Sequence, residues 1–120
     1  MAAREGHTSI ISIIAKMEGC NVNAKDADGW TALHLAAYIG KLASVKCLIE
    51  EANADPKIKS NNGETALHMA AYSGNLASVK YLIEEAKDDP KIKNNDGVTA
   101  YDTAVIIKKS ECAEYLKQYN

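Results

Sequence analysis

Two histidines are the residues whose type and spacing come closest to a metal or catalytic site. His34 and His68 stand 34 residues apart, each at the end of a Thr-Ala-Leu-His sequence. Equivalent positions on neighbouring packed helices lie about 8–10 Å apart, whereas two nitrogens bound at about 2 Å to one zinc ion lie within about 4 Å of each other. The two rings therefore cannot share an ion without distortion. The third histidine, His7, has no candidate partner nearby in the sequence.

Three cysteines are the other residues that could carry chemistry. Cys20, Cys47 and Cys112 are odd in number and unrelated in spacing, which predicts neither a disulfide framework nor a Cys-x-x-Cys site. A cysteine nucleophile needs a nearby base, but Cys47 stands at 34-residue intervals from Tyr81 and Tyr115, on the face of a predicted outer helix. No glycine-rich phosphate loop or His-Glu-x-x-His pattern occurs. We therefore expect no catalytic residue, no metal and no cofactor, and do not expect an enzyme.

Composition limits the class of protein further. The 120 residues suffice for one domain, and 25% charged with 47% apolar residues is typical of an ordered globular domain. A net charge of -2 without a long basic run argues against a nucleic-acid partner. The longest apolar stretch, 10–15, is too short for a membrane span or a signal peptide. We expect no membrane partner and a reducing, cytoplasmic location.

The elements that position these residues belong to a sequence repeat. Glycines recur at 34-residue intervals in two sets, which are Gly29, Gly63 and Gly97 and Gly6, Gly40 and Gly74. When 29–62 is compared with 63–96, 25 of 34 positions are identical. A period of this length is typical of stacked helical repeats, in which each unit covers the apolar face of its neighbour.

Each unit is predicted to contain a turn, a short helix, a second turn and a second helix. Thr31 stands where an N-cap hydroxyl would begin the first helix. Gly40 stands where a left-handed residue would end that helix. Val45, Leu48 and Ile49 form the apolar stripe of the second helix. Because neither helix can bury its apolar face alone, the units are expected to be stable only as a stack.

The sequence Gly-x-Thr-Ala-Leu-His-x-Ala-Ala, present at 29–37 and 63–71, resembles the ankyrin repeat. The resemblance extends over nearly the whole chain. It implies an all-α, ankyrin-type helix-turn-helix solenoid with short β-hairpin turns. It also implies that His34 and His68 are structural hydrogen-bonding residues near the helix starts.

Two departures from the family pattern concern the hairpin geometry and not the fold. The period is 34 residues and not the family's usual 33, and no glycine ends the second helix at 50–53 or 84–87. The expected organisation is a single ankyrin-repeat domain over 1–120. Its predicted parts are a truncated first repeat 1–28, full repeats 29–62 and 63–96, and a C-terminal capping repeat 97–120, where Lys108 replaces the glycine and the last helix is polar.

The first unit predicts an exposed apolar edge. Ile11 and Ile14 align with core positions of the next unit, but Ile10 and Ile13 align with Ser44 and Cys47. We hypothesise that residues 1–20 are covered by further repeats upstream in a longer protein or by self-association with a second copy. The alternative is that these isoleucines pack on the following repeat.

The resemblance implies a protein partner, bound through the turn tips and the exposed face of the first helices. The residues that map onto this surface are Trp30, Tyr38, Ile39, Glu64, Tyr72, Ser73, Val98 and Ile106. Trp30, Tyr38 and Tyr72 are expected to contribute most, because rigid aromatic side chains dominate interface energies. The alternative is that Trp30 lies flat on the neighbouring turn and the tyrosines only cover alanines.

Four lysines could form a second surface. Lys57 and Lys59, and again Lys91 and Lys93, alternate with an isoleucine, which is typical of a segment with one solvated side. The alternative interpretation is a weak basic ridge for an acidic partner.

We therefore expect a non-catalytic protein-interaction module of unknown partner. Two further possibilities are a fragment of a multidomain protein, whose other domain the repeats place or regulate, and a self-assembling structural block.

Overall fold

The computed structural model describes residues 23 and 25–119, and these contain six helices of eight or nine residues. In chain order they are α1 (Ala32–Ile39), α2 (Leu42–Glu50), α3 (Ala66–Ser73), α4 (Leu76–Glu84), α5 (Ala100–Ile107) and α6 (Ser110–Lys117). The isoleucines of the predicted N-terminal edge lie outside the described residues. None of the six helices is long and apolar enough to cross a membrane.

The helices form two layers. Each odd-numbered helix packs on the helix that follows it, so α1 with α2, α3 with α4 and α5 with α6 make three helical pairs. The inner layer runs α1, α3, α5 and is packed more closely than the outer layer α2, α4, α6. The predicted all-α helix-turn-helix solenoid is confirmed. The limits of the individual repeats remain a prediction.

Small side chains explain the close packing of the inner layer. Ala36 and Ala37 of α1 and Ala70 and Ala71 of α3 are fully buried, and a methyl side chain lets two helix backbones approach closely. The outer layer closes the core with larger residues. Those without solvent exposure are Val45, Leu48, Val79 and Leu82.

The first helix of each pair begins and ends with local hydrogen bonds. Thr31 Oγ1 accepts the backbone N–H of His34 at 3.4 Å, and His34 Nδ1 accepts the N–H of Thr31 at 3.0 Å. In the last pair Asp102 replaces the histidine and keeps the cap, since its Oδ2 accepts the N–H of Thr99 at 3.2 Å. The helix ends are left-handed, including Lys108, whose φ is 65° where the other two pairs have glycine.

The turns after α2 and α4 contain a left-handed residue that is not glycine, three residues beyond the last residue of each helix. Asn53 and Lys87 have φ values of 58° and 57°. The residue after each one donates its N–H back into the helix, Ala54 to Leu48 O at 2.8 Å and Asp88 to Leu82 O at 2.9 Å. The missing glycine therefore leaves the turn geometry intact, at the cost of backbone strain that Lys bears less easily than Asn.

The long turns between helical pairs differ from the predicted β-hairpins in one respect. Asp26 N–H donates to Trp30 O at 2.9 Å, as in a hairpin, but residues 25–119 contain no strand. Successive turns are instead joined at their tips, where Asn61 N–H donates to Asp28 O at 3.0 Å. One backbone bond between neighbouring tips is too few for a β-ladder, yet together with the bond from Asn61 Nδ2 to Ala27 O at 3.0 Å it holds the tips in register.

Candidate protein-interaction surface

The repeated histidines join one repeat to the next. Nδ1 of His34 accepts the N–H of Thr31, so the ring proton lies on Nε2, which donates to Glu64 O at 2.8 Å. Nε2 of His68 bonds in the same way to Val98 O at 2.9 Å. Desolvation by burial lowers the pKa of both histidines, so both are neutral at pH 7. Because both nitrogens of each ring are occupied, the predicted structural role is confirmed.

The two described cysteines are packing residues. Cys112 is buried in the core, and burial raises the pKa of its thiol, which disfavours the reactive thiolate. Cys47 is half-buried on α2. Neither sits in the electropositive, accessible setting that a cysteine nucleophile requires.

Three aromatic side chains form a continuous row along the inner layer. The Trp30 ring meets the Tyr38 ring edge-on, with centroids 5.3 Å apart and planes at 71°. Tyr38 stacks on Tyr72 of the next inner helix at 5.4 Å and 28°. Both geometries are favourable for aromatic pairs. We call these three residues the aromatic row. Trp30 thus packs on the tyrosine of its own repeat, and the rings do more than cover alanines.

The exposed apolar surface continues from the aromatic row to the end of α5. Tyr72 is 47% exposed, and Ile106, at the equivalent position of the next repeat, is 68% exposed. Val105 is 49% exposed, and the sequence analysis missed it. It aligns with Ala37 and Ala71, which are buried between inner helices. The change from alanine to valine at a repeat position was the available signal.

The remaining predicted residues lie at the edge of this surface. Ile39 is half-buried, and Ser73 Oγ donates to Ala70 O of its own helix at 2.9 Å, which ties its hydroxyl inward. Glu64 and Val98 are half-buried at the turn position equivalent to Trp30. The backbone of each turn is fixed by a side chain, for example by Asp26 Oδ1, which accepts the N–H groups of Asp28 and Trp30 at 2.9 Å. At these tips only the side chains vary.

The predicted lysine segments are exposed and their isoleucines half-buried. Lys57, Lys59, Lys91 and Lys93 are exposed, whereas Ile58 and Ile92 are partly covered. Asp55 Oδ1 accepts the backbone N–H of Lys57 at 2.9 Å, which orders the start of the segment. This alternation fits the solvated-side interpretation and leaves the acidic-partner alternative untested.

The outer helices carry a ladder of tyrosine–glutamate contacts that the sequence analysis did not identify. Tyr81 Oη donates to Glu50 Oε2 at 2.6 Å, and Tyr115 donates to Glu84 in the same way. Lys46 Nζ lies 5.8 Å from the centre of the Tyr81 ring. Burial and the glutamate raise the pKa of Tyr81 to about 12, so its hydroxyl remains a donor. These contacts join α2 to α4 and α4 to α6 and leave the inner surface open.

One buried carboxylate lies in the turn after α4. Asp88 is 4% exposed, and its Oδ1 accepts the N–H of Asp89 at 2.9 Å, while its Oδ2 has no partner among the described residues. Desolvation raises the pKa of Asp88 to about 7. The equivalent residue of the preceding repeat is Ala54, which is also buried. Asp88 is therefore a local weakness in the scaffold.

Comparisons with known proteins agree with this architecture. The family described as ankyrin repeats (3 copies) matches residues 1–94 and, in a second alignment, 38–120. Protein phosphatase 1 regulatory subunit 12A from Mus musculus is 40% identical over 50 residues, which is 42% of this chain and 5% of that protein. The transient receptor potential cation channel subfamily V member 6 from Rattus norvegicus is 40% identical over 52 residues, 43% of this chain and 7% of the channel. The similarity thus covers a small part of each relative.

Proposed function

The chain belongs to the ankyrin-repeat family, whose members are generally non-catalytic protein-interaction modules, and from that premise we propose that it binds a protein partner through its inner surface. The aromatic row and Ile106 form the centre of the proposed site. The edge residues are Ile39, Glu64, Ser73 and Val98. The partner contacts the inner layer and the turn tips, while the outer layer supports them.

The contact of three aromatic rings across two repeats is the observation that carries the proposal. Tyr72 is 47% exposed and stacked on Tyr38, so it is both accessible and held in place. A held side chain loses little conformational entropy on binding, and tyrosine and tryptophan are enriched among residues that dominate interface energies. The nine positions that differ between the two near-identical repeats include 30/64 and 39/73 on this surface, as expected if the scaffold is constant and its recognition varies.

Affinity capture from a cell extract tests the proposal. The bait is the wild type, a Trp30→Ala/Tyr38→Ala/Tyr72→Ala variant, or a Glu51→Ala/Glu85→Ala control that changes exposed residues at the ends of the outer helices. A protein retained by wild type and control but lost from the triple variant supports the inner surface. Circular dichroism and a thermal melt establish that each bait is folded. Equal retention by the triple variant contradicts the proposed site.

Single substitutions give a quantitative version of this test once a partner is captured. Trp30→Ala and Tyr72→Ala are each expected to weaken its affinity by more than about 1 kcal/mol, as at other aromatic hot spots. Isothermal titration calorimetry measures the change. If both variants bind within about 0.5 kcal/mol of wild type, the site is wrong.

A second candidate is that the repeats place or regulate another domain of a longer cytoplasmic protein. The similarity to a phosphatase regulatory subunit and to a channel covers 5% and 7% of those proteins, so each has much sequence outside the aligned segment. An antibody against residues 29–96 would then detect a cytosolic product well above 12.9 kDa.

For the self-assembly alternative, light scattering at two concentrations should report a mass that rises with concentration.

A further inference from the structure

One acidic residue stands between two apolar residues when the last tip position of the three turns is compared. The tip position that carries Trp30 in one repeat and Val98 in another carries Glu64 between them. The side chain at this position reaches the inner helix, since the Trp30 ring lies 5.3 Å from Tyr38 and 6.2 Å from His34. The equivalent register places Glu64 on the side of α3 that carries Tyr72 and His68. We call Glu64 and Tyr72 the cation subsite.

The charge distribution around His68 supports this placement. Among the charged side chains that act on the pKa of His68, the effect of Glu64, which raises it, is larger than that of Lys59, which lowers it. The carboxylate is therefore close enough to the start of α3 to act on His68. Glu64 is half-buried, and partial burial strengthens its interaction with a cation.

The rest of the tip surface is also acidic. Residues 27–30, 61–64 and 95–98 contain Asp28, Glu64 and Asp96 and no lysine or arginine. The exposed ring of Tyr72 adds a π face, which attracts cations. On the inner side, Glu64 and Tyr72 thus combine a carboxylate with an exposed, stacked aromatic ring. This combination of charge and apolar surface selects for a cationic group of the partner.

We infer that the cation subsite binds the guanidinium group of an arginine side chain presented by the protein partner. Arginine fits better than lysine because its planar guanidinium can stack on the Tyr72 ring while two of its N–H groups donate to the Glu64 carboxylate. This inference rests on the proposed function and adds the chemistry of the partner residue. It predicts that the arginine lies near apolar residues that contact the aromatic row.

A partner that is acidic is the competing possibility. Lys25, Lys59 and Lys93 recur at 34-residue intervals and are all exposed. Lys25 and Lys59 influence the pKa of His34 and His68, but exposed lysines contribute little to affinity. The experiment below distinguishes the two, since an acidic partner would be selected for aspartate and glutamate.

The test is selection from a phage-displayed library of random 16-residue peptides against the folded full chain. Arginine is expected to be enriched several-fold over its library frequency among peptides whose binding requires Trp30, Tyr38 and Tyr72. For a synthetic peptide of this set, Glu64→Gln should weaken binding about tenfold, the usual cost of losing a charge-assisted hydrogen bond. The matched control Glu85→Gln removes the same charge from an exposed position on the outer layer and should change binding less than about twofold.

A double-mutant cycle establishes contact between the two groups. Replacing the peptide arginine by glutamine should cost at least about tenfold against wild type and clearly less against Glu64→Gln, where only its stacking on Tyr72 is left to lose. Peptides that bind the aromatic row without arginine enrichment, or that bind Glu64→Gln equally well, would overturn the inference and leave the proposed function standing. Enrichment of acidic residues would also overturn it. If the selection yields no peptide whose binding depends on the aromatic row, both the inference and the proposed function are overturned.

Discussion

The repeats at 29–62 and 63–96 share 25 of 34 residues, and four of the nine positions that differ lie in two distinct places. On the inner surface, Trp30 and Ile39 of the first correspond to Glu64 and Ser73 of the second. In the outer turn, Asn53 and Ala54 of the first correspond to Lys87 and Asp88 of the second.

The second repeat therefore carries two unfavourable residues that the first does not. Lys87 adopts a left-handed conformation that asparagine tolerates better, and Asp88 buries a carboxylate where the first repeat buries a methyl group. We infer that one scaffold accommodates different residues on its inner side without loss of stability, and we expect changes in the outer turn to alter stability. Four predictions, from the largest expected effect to the smallest, test this division.

The shared core should respond equally in the two repeats. Leu48 and Leu82 have no solvent exposure. Leu48→Ala and Leu82→Ala should each lower the free energy of unfolding by about 2–5 kcal/mol, because each leaves a cavity in the outer layer. Urea denaturation followed by circular dichroism measures both values. A difference above about 2 kcal/mol between them would mean that identical residues do not make equivalent scaffolds.

Asp88 should make stability depend on pH. Burial raises the pKa of Asp88 in the folded protein to about 7, well above the ordinary value of 3.8, so the folded state holds the proton more tightly. The amount by which Asp88 lowers the free energy of unfolding is smallest below pH 4 and grows as the pH rises to 7. Between pH 5 and pH 8 the wild type should lose roughly 2–3 kcal/mol of stability through this group.

The matching variant for this prediction is Asp88→Ala, which installs the residue of the first repeat. It should remove most of the pH dependence and raise stability at pH 8. Ala54→Asp is the reciprocal variant and should introduce a similar dependence. Urea denaturation at the two pH values measures both variants. If Asp88→Ala keeps the pH profile of the wild type, Asp88 is ionised in the folded protein.

The left-handed residues of the two outer turns should also differ in their effect on the free energy of unfolding, by a smaller amount. Lys87→Gly should raise the free energy of unfolding by up to about 1 kcal/mol, because glycine adopts positive φ without steric cost. Asn53→Gly should have a smaller effect, since asparagine already tolerates this conformation. Thermal melts of the two variants compare them directly. An equal gain at both positions would argue that side-chain strain does not distinguish the turns.

The smallest effect is expected in the outer ladder. Tyr81→Phe removes the hydroxyl that donates to Glu50 at 2.6 Å and should lower stability by about 0.5 kcal/mol, the low end of the usual net value of one hydrogen bond, because this bond is exposed to solvent. Cys47, the equivalent residue of the first repeat, has no hydroxyl to make this bond. Tyr81→Phe in the Glu50→Gln background is the control and should cost less. Equal losses in the two backgrounds would mean that the bond does not contribute.

Much of the fold could be predicted because it depends on residues close together in the chain. Thr31 and His34 form the helix start across three residues, and Gly40 ends the same helix in a left-handed conformation. The 34-residue period predicted which residues are equivalent, so the cores of the two full repeats could be identified together. The roles of His34 and His68 followed from the resemblance, and their hydrogen bonds confirmed them.

The sequence by itself therefore determined the fold class, the helix starts and the buried stripes, because these follow from local hydrogen bonds and helical periodicity. The tertiary structure decided which side chains of successive repeats meet. It placed Tyr38 against Tyr72 and Tyr81 against Glu50, and it buried Asp88 in a turn whose equivalent position holds alanine. Such contacts depend on the rotation and spacing of one repeat relative to the next, and a period in the sequence does not specify either quantity.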